Sequence, residues 1–138
     1  MGITIGNRNR TIDMGYGGFY NLRKNIAGIY SEEFKSLYEA WCSPVGRLSN
    51  EEGNEKLAEL YSRGILCDDD DIVLDFLFAS DSDGKISVKG CRRLYEVIAD
   101  YDDDICYGYI ARPDCAKFID FKKIVEDCAK NRLVLKWY

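Results

Sequence analysis

Histidine is absent from the 138 residues, and that decides much of the available chemistry. Ser-His-Asp and Cys-His catalysis, imidazole-bound zinc or iron, and the usual proton shuttle near neutral pH are removed. Carboxylate, tyrosine, arginine, lysine and thiol chemistry remain. Carboxylates come in two runs: Asp68, Asp69, Asp70 and Asp71, then Asp100 with Asp102, Asp103 and Asp104. With Asp81 and Asp83 they could share one acidic face, which would meet a basic partner or hold Mg²⁺ or Ca²⁺. The plainer reading is a solvated face that favours solubility. Carboxylate pairs also serve acid–base chemistry, but nothing in the sequence fixes their separation. Ten tyrosines are present. Tyr101, Tyr107 and Tyr109 share an irregular segment with Arg112, and exposed Tyr and Arg are common interface anchors. Tyr16, Gly17 and Gly18 follow Gly15 and precede Arg23. Three glycines in four positions permit close backbone approach. A glycine turn entering a helix is one way to cradle phosphate, yet the spacing fits neither the Walker nor the dinucleotide pattern. A packing turn is the simpler reading; a small-ligand site at Tyr16, Gly17, Gly18 and Arg23 is the alternative.

The segment 79–90 resembles the calcium loop of an EF-hand. With Gly84 at the loop's sixth position, Asp81 and Asp83 fall at the third and fifth, Ile86 at the eighth and Ser87 at the ninth. The resemblance implies a divalent-cation module with Asp81, Asp83 and Ser87 as ligands, binding Ca²⁺ or Mg²⁺ weakly. Ala79 and Gly90 stand where the family has its first and its bidentate carboxylate. Asp-Gly is also a strong turn signal in its own right, and Asp81 could close an Asx turn. A second resemblance covers more of the chain. Asp13-Met14-Gly15-Tyr16-Gly17-Gly18-Phe19 leading to Leu22-Arg23, Ser80-Asp81-Ser82-Asp83-Gly84 after a Phe/Leu-rich helix, and a closing helix with an aromatic strand look like a loose group. Its members are small uncharacterised proteins of bacteria and their phages. That resemblance implies an accessory protein of a phage or mobile element rather than a metabolic enzyme, and it carries no catalytic residues over.

The length suits one domain, 1–138, with one core. Apolar residues make up 46% and aromatics 13%, with two prolines, so a folded chain is expected. No stretch approaches the roughly 18 apolar residues of a membrane span, and no basic-then-apolar leader follows Met1. A soluble, cytoplasmic protein is the expectation, in the host cytoplasm if phage-encoded. The six cysteines, Cys42, Cys67, Cys91, Cys106, Cys115 and Cys128, then read as reduced thiols without disulfides. The net charge of −5 is uneven. Residues 65–104 hold 4 basic and 12 acidic side chains, against 8 and 8 before them and 7 and 4 after. A nucleic-acid binder would need the opposite sign.

These side chains must be positioned by an α+β domain, mostly helical, with five or six helices and a two- or three-stranded sheet joining the termini. Ile3 and Ile5 alternate in one strand, and 10–14 form a second. A helix at about 18–28 follows the glycine turn. Ser31 caps the next, with Phe34, Leu37, Tyr38 and Trp41 as its core stripe, and Ser43-Pro44-Val45-Gly46 ends it. Ser49 and Glu52 form a capping box for a third helix, which stops at Gly64. The four aspartates 68–71 open a helix apolar over most of its circumference, expected near the centre of the core. Ser87 caps a helix with Arg92, Arg93 and Glu96 facing water. The segment 105–114, including Ile110 and Ala111, reads as irregular. A last helix at about 115–130, capped by Asn131, leads to a terminal strand paired with the N-terminal one. The functional expectation is a small acidic binding protein, not an enzyme. It would engage or inhibit a host macromolecule with a basic surface through Asp68, Asp69, Tyr101, Asp102, Asp103, Asp104, Tyr107, Tyr109 and Arg112. The cation module, and a small-ligand protein or enzyme using the glycine turn with Arg23 and the Tyr107–Arg112 loop, are the alternatives.

Overall fold

Alternating apolar residues at both ends of the chain give two strands that must pair to satisfy their backbones. The computed structural model, which describes residues 2–43, 46–109 and 112–138, pairs them. Strand β1 (Gly2–Gly6) lies between β2 (Thr11–Gly15) and the terminal β4 (Leu135–Trp137). A short strand β3 (Gly84–Ile86) adds to the far edge of β4, giving the antiparallel order β2-β1-β4-β3. The sheet thus has four strands rather than two or three. The extra one has only three residues and leaves the Asp-Gly turn at once, too short for a period-two pattern to register. Ile3 pairs with Met14 and Ile5 with Trp137. With Ile86 and Leu135 these side chains are buried.

Six helices lie among the described residues: α1 (Tyr16–Tyr30), α2 (Glu32–Cys42), α3 (Asn50–Ser62), α4 (Asp71–Leu77), α5 (Val88–Ile98) and α6 (Phe118–Asn131). Three of their N-caps are those the sequence announces. Ser31, Ser49 and Ser87 hydroxyls accept from the backbone N–H of Phe34, Glu52 and Gly90. Gly64, past the end of α3, takes φ +77°. The stop expected at Pro44 and Val45 lies outside the described residues, as do Ile110 and Ala111.

Three local expectations are corrected. The aspartate run does not open an α-helix directly: Asp68–Asp70 form a 3-10 turn in which the Asp70 carboxylate accepts from the Cys67 N–H. Asn131 does not close α6. The left-handed residue is Arg132 (φ 55°), while the Asn131 side chain donates to Asp127. Cys106 and Cys115 are brought to disulfide distance, with Cα atoms 5.9 Å apart, so the expectation of six reduced thiols fails at this pair. The cause is a hairpin-like return in which Tyr107 N–H donates to Ala116 C=O. Cys42, Cys67, Cys91 and Cys128 are free, the last two fully buried.

Helix α4 sits at the centre of the core, as its nearly all-round apolarity requires. The Phe76 ring meets Trp137, Phe19 and Phe121 at centroid distances of 5.4, 6.0 and 6.0 Å. It therefore joins sheet, α1 and α6. Trp137 in turn donates from Nε1 to Ser80 C=O at 2.9 Å, tying the loop after α4 to the sheet. Among the described residues no helix is long and apolar enough to cross a membrane. Phe76→Ala is expected to cost about 3–5 kcal/mol, read as a lower urea midpoint; a loss under about 1 kcal/mol would contradict this central position.

Candidate functional site

Tyr16, Tyr20 and Arg23 recur at i, i+4 and i+7, so α1 presents them on one face. A rise of 1.5 Å per residue spreads them over about 10 Å. Opposite them runs the chain leaving α4, Leu77 to Asp81, and α2 contributes Tyr38 and Cys42. Together with Gly17 these residues enclose a cleft of about 440 Å³. Aromatic side chains build its walls. Tyr20 stacks on Tyr38 at 5.9 Å, and Tyr38 meets Phe78 at 5.5 Å. The Tyr38 hydroxyl donates to Leu77 C=O, and burial pushes its pKa up, so it stays protonated.

Arg23 is the unusual member, because only 6% of it is exposed. Its guanidinium carbon lies 4.2 Å from the centroid of the Phe19 ring. Nη1 donates to the carbonyls of Phe76 (3.3 Å) and Ala79 (2.8 Å). The first is an orphan acceptor in the last turn of α4, and the second lies two residues beyond the helix. The other edge has no such role. Nε is buried and has no partner among the described residues, and no carboxylate of those residues pairs with Arg23. A buried donor without an acceptor costs about 1–3 kcal/mol, and a buried cation without a counter-charge is unfavourable again. The edge formed by Nε and Nη2 takes a carboxylate or phosphate in a two-pronged geometry. Cys42 is half-buried in the same cleft. Burial pushes its thiol up, with the Arg23 charge opposing, so Cys42 is a protonated thiol at neutral pH.

The other expected site residues have different settings. Gly17 faces the cleft, and a Cβ there would meet open space. Gly18 is a packing residue: a Cβ would strike the Tyr107 carbonyl. Tyr107 is 1% exposed, so its side chain offers a partner no surface. Its hydroxyl donates to Asp103 and accepts from Asn25. Tyr101 is half-buried, packs edge-on to Phe118 and donates to the same Asp103 oxygen. Asp103 also accepts from Ile105 N–H. The segment is therefore folded on itself, with Asp102 and Asp104 pointing to solvent. Tyr109 and Arg112 line a separate cleft of about 390 Å³ with Arg10 and Asp120. There the cations are matched: Arg10 pairs with Asp120 at 2.9 Å and Arg112 with Asp114 at 3.9 Å.

The aspartates do not line a common cleft. Asp68, Asp69 and Asp71 stand beside Lys89, Arg92 and Arg93. Arg93, expected to face water, instead reaches Asp70 through Nε (3.0 Å) and Nη2 (2.8 Å). In the loop 79–90, Asp81 lines the Arg23 cleft and Ser87 is taken up in capping α5. The Asp83 carboxylate accepts a long contact from the Ser82 hydroxyl. Among the described residues no three Asp, Glu or Cys side chains are grouped as metal ligands would be. Neither family models, nor curated proteins, nor solved structures give a match to this chain.

Sequence reasoning named Tyr16, Gly17 and Arg23 but missed Tyr20, Tyr38, Cys42 and Phe78. Tyr38 was read as core, and it is both core and wall. The available signal was a cation at i+7 on a face otherwise aromatic.

Asp70 gives a pH prediction. Burial raises its carboxyl, but hydrogen bonds from Cys67, Tyr30 and Arg93 outweigh this and hold it below the usual carboxylate range. Its contribution to stability is thus complete above about pH 4 and is lost as pH falls through the folded-state value. Urea unfolding of the wild type should weaken more steeply below pH 4 than that of Asp70→Asn; parallel curves would contradict it.

Proposed function

We propose that the chain is a binding protein, not an enzyme, and that its ligand is a small organic anion seated in the Arg23 cleft. The observation that carries this is the guanidinium of Arg23, which borders the cleft while its buried Nε finds no acceptor among the described residues. Nη1 accounts for the residue's structural role beside α4; the cation itself borders the cleft with no carboxylate partner among the described residues, which suits an anionic ligand. The cleft volume lies within the range of small-molecule sites, which are mostly apolar with a few convergent polar groups. Calorimetric titration with benzoate, phenylacetate and phenyl phosphate tests the reading. At least one should bind saturably and shield Cys42 from iodoacetamide, read by peptide mass. Gly17→Phe, which fills the cleft from a position with open space, should weaken binding at least tenfold, about 1.4 kcal/mol. Arg23→Lys, which lacks the fork, should do the same. Flat titrations with all three anions, or unchanged affinity in Gly17→Phe, would overturn it.

A second reading rests on Ile105, a large apolar residue 46% exposed in a loop with exposed Asp102 and Asp104 on its N-terminal side. An apolar anchor with acids beside it suits a basic protein surface, such as that of a host macromolecule engaged by a phage or mobile-element accessory protein. Capture of such a partner from host lysate should fall with salt and with the double change Asp102→Lys, Asp104→Lys. Capture unaffected by both would end this reading.

A further inference from the structure

We infer that the ligand of the Arg23 cleft is zwitterionic, carrying a cationic amine as well as its anionic group on an aromatic or apolar body. The inference rests on the small-anion reading and extends it through Asp81. This exposed carboxylate lines the same cleft from the loop opposite α1. It forms no ion pair with any described residue. Nor does it pair with Arg23, although both border one cavity. Charges of opposite sign that share a cleft and leave each other unpaired are matched by a ligand bearing both complements. The Arg10 cleft differs, because its cation is already matched by Asp120.

The walls between the two charges are suited to a flat body. Tyr38 is influenced by both: burial raises its hydroxyl pKa, Arg23 opposes the rise and Asp81 adds to it. It therefore lies within the field of each. Tyr20 and Phe78 flank Tyr38, leaving an aromatic wall that would also take up part of an amine's charge through cation–π contact. Two other charged groups approach from outside the cleft. Lys24 sits 5.6 Å from the centroid of the Tyr20 ring, and Glu39 acts on the Tyr20 hydroxyl. Neither lines the cavity, so neither is the ligand's direct partner. The loop bearing Asp81 is held in place through Ser80, whose carbonyl accepts from Trp137. The two charges therefore border one preformed cleft.

Calorimetry on the full chain with four probes tests this: benzoate (anion alone), benzylamine (cation alone), and L-phenylalanine and 4-(aminomethyl)benzoate (both charges at two separations). At least one of the double-charged probes should bind about tenfold or more tightly than benzoate, a gap of about 1.4 kcal/mol. Asp81→Asn, at an exposed position, should abolish that preference. Benzoate binding as tightly as both double-charged probes, or a preference that survives Asp81→Asn, would overturn the inference and leave the small-anion reading standing. Failure of all four probes, together with the arylphosphate, would remove both.

Discussion

The contact between Arg23 and the end of α4 ties the account together. Helix α4 is only seven residues long and is buried through Phe76, Leu77 and their neighbours. A short helix so placed leaves carbonyls at its C-terminus that water cannot reach. Nη1 of Arg23 supplies a donor to one of them, Phe76, and to the carbonyl of Ala79 two residues beyond the helix. This requirement brings a cation into the interior, and stacking on Phe19 shields its face. One planar group thus has two edges with different histories. One edge belongs to the fold, and the other holds a buried N–H with no acceptor among the described residues, on a residue that borders a cavity.

The same constraint explains why the cleft stands where it does. Phe76 fixes α4 against the sheet and α6, and Arg23 fixes α1 against the end of α4. The chain must then cross from Leu77 to the strand Gly84–Ile86 over the face of α1 that carries Tyr16 and Tyr20. Gly84 lets that strand pass close to Trp137, whose indole would strike a Cβ there. The clefts of this protein differ less in size than in chemistry. The Tyr109–Arg112 cleft is almost as large, but its arginines have carboxylate partners. Only the Arg23 cleft, among the described residues, pairs its volume with a buried donor that lacks an acceptor.

Much of the architecture was legible because local signals were strong. The serine caps and the alternation of Ile3 and Ile5 each state a local conformation that the tertiary fold did not override; of the expected capping box at Ser49 and Glu52 only the serine half forms. The core position of α4 was legible for a related reason: a helix apolar on nearly every side has nowhere else to go. The three-residue strand β3 was not legible, since its identity depends on β4 arriving from fifty residues away. Nor was the pairing of Cys106 with Cys115, which depends on the return of the chain at Tyr107 and Ala116. Of the site, Tyr16, Gly17 and Arg23 were visible as a glycine turn followed by a cation. Its far wall was not, because Tyr38 and Phe78 carry the pattern of ordinary core residues. The acidic runs misled for a physical reason. Sequence shows where carboxylates cluster along the chain, not which cations fold back on them, and Arg93 reaching Asp70 is such a case.

The most direct measurement is of the Arg23 Nε–H itself. In an ¹⁵N-labelled sample its side-chain resonance can be followed while benzoate or a double-charged analogue is added. The account predicts that this proton moves downfield and exchanges more slowly with water as the site fills, with the largest change of any arginine. An Arg23 resonance that stays fixed while ligand saturates the protein would show that the free edge is not where the anion sits.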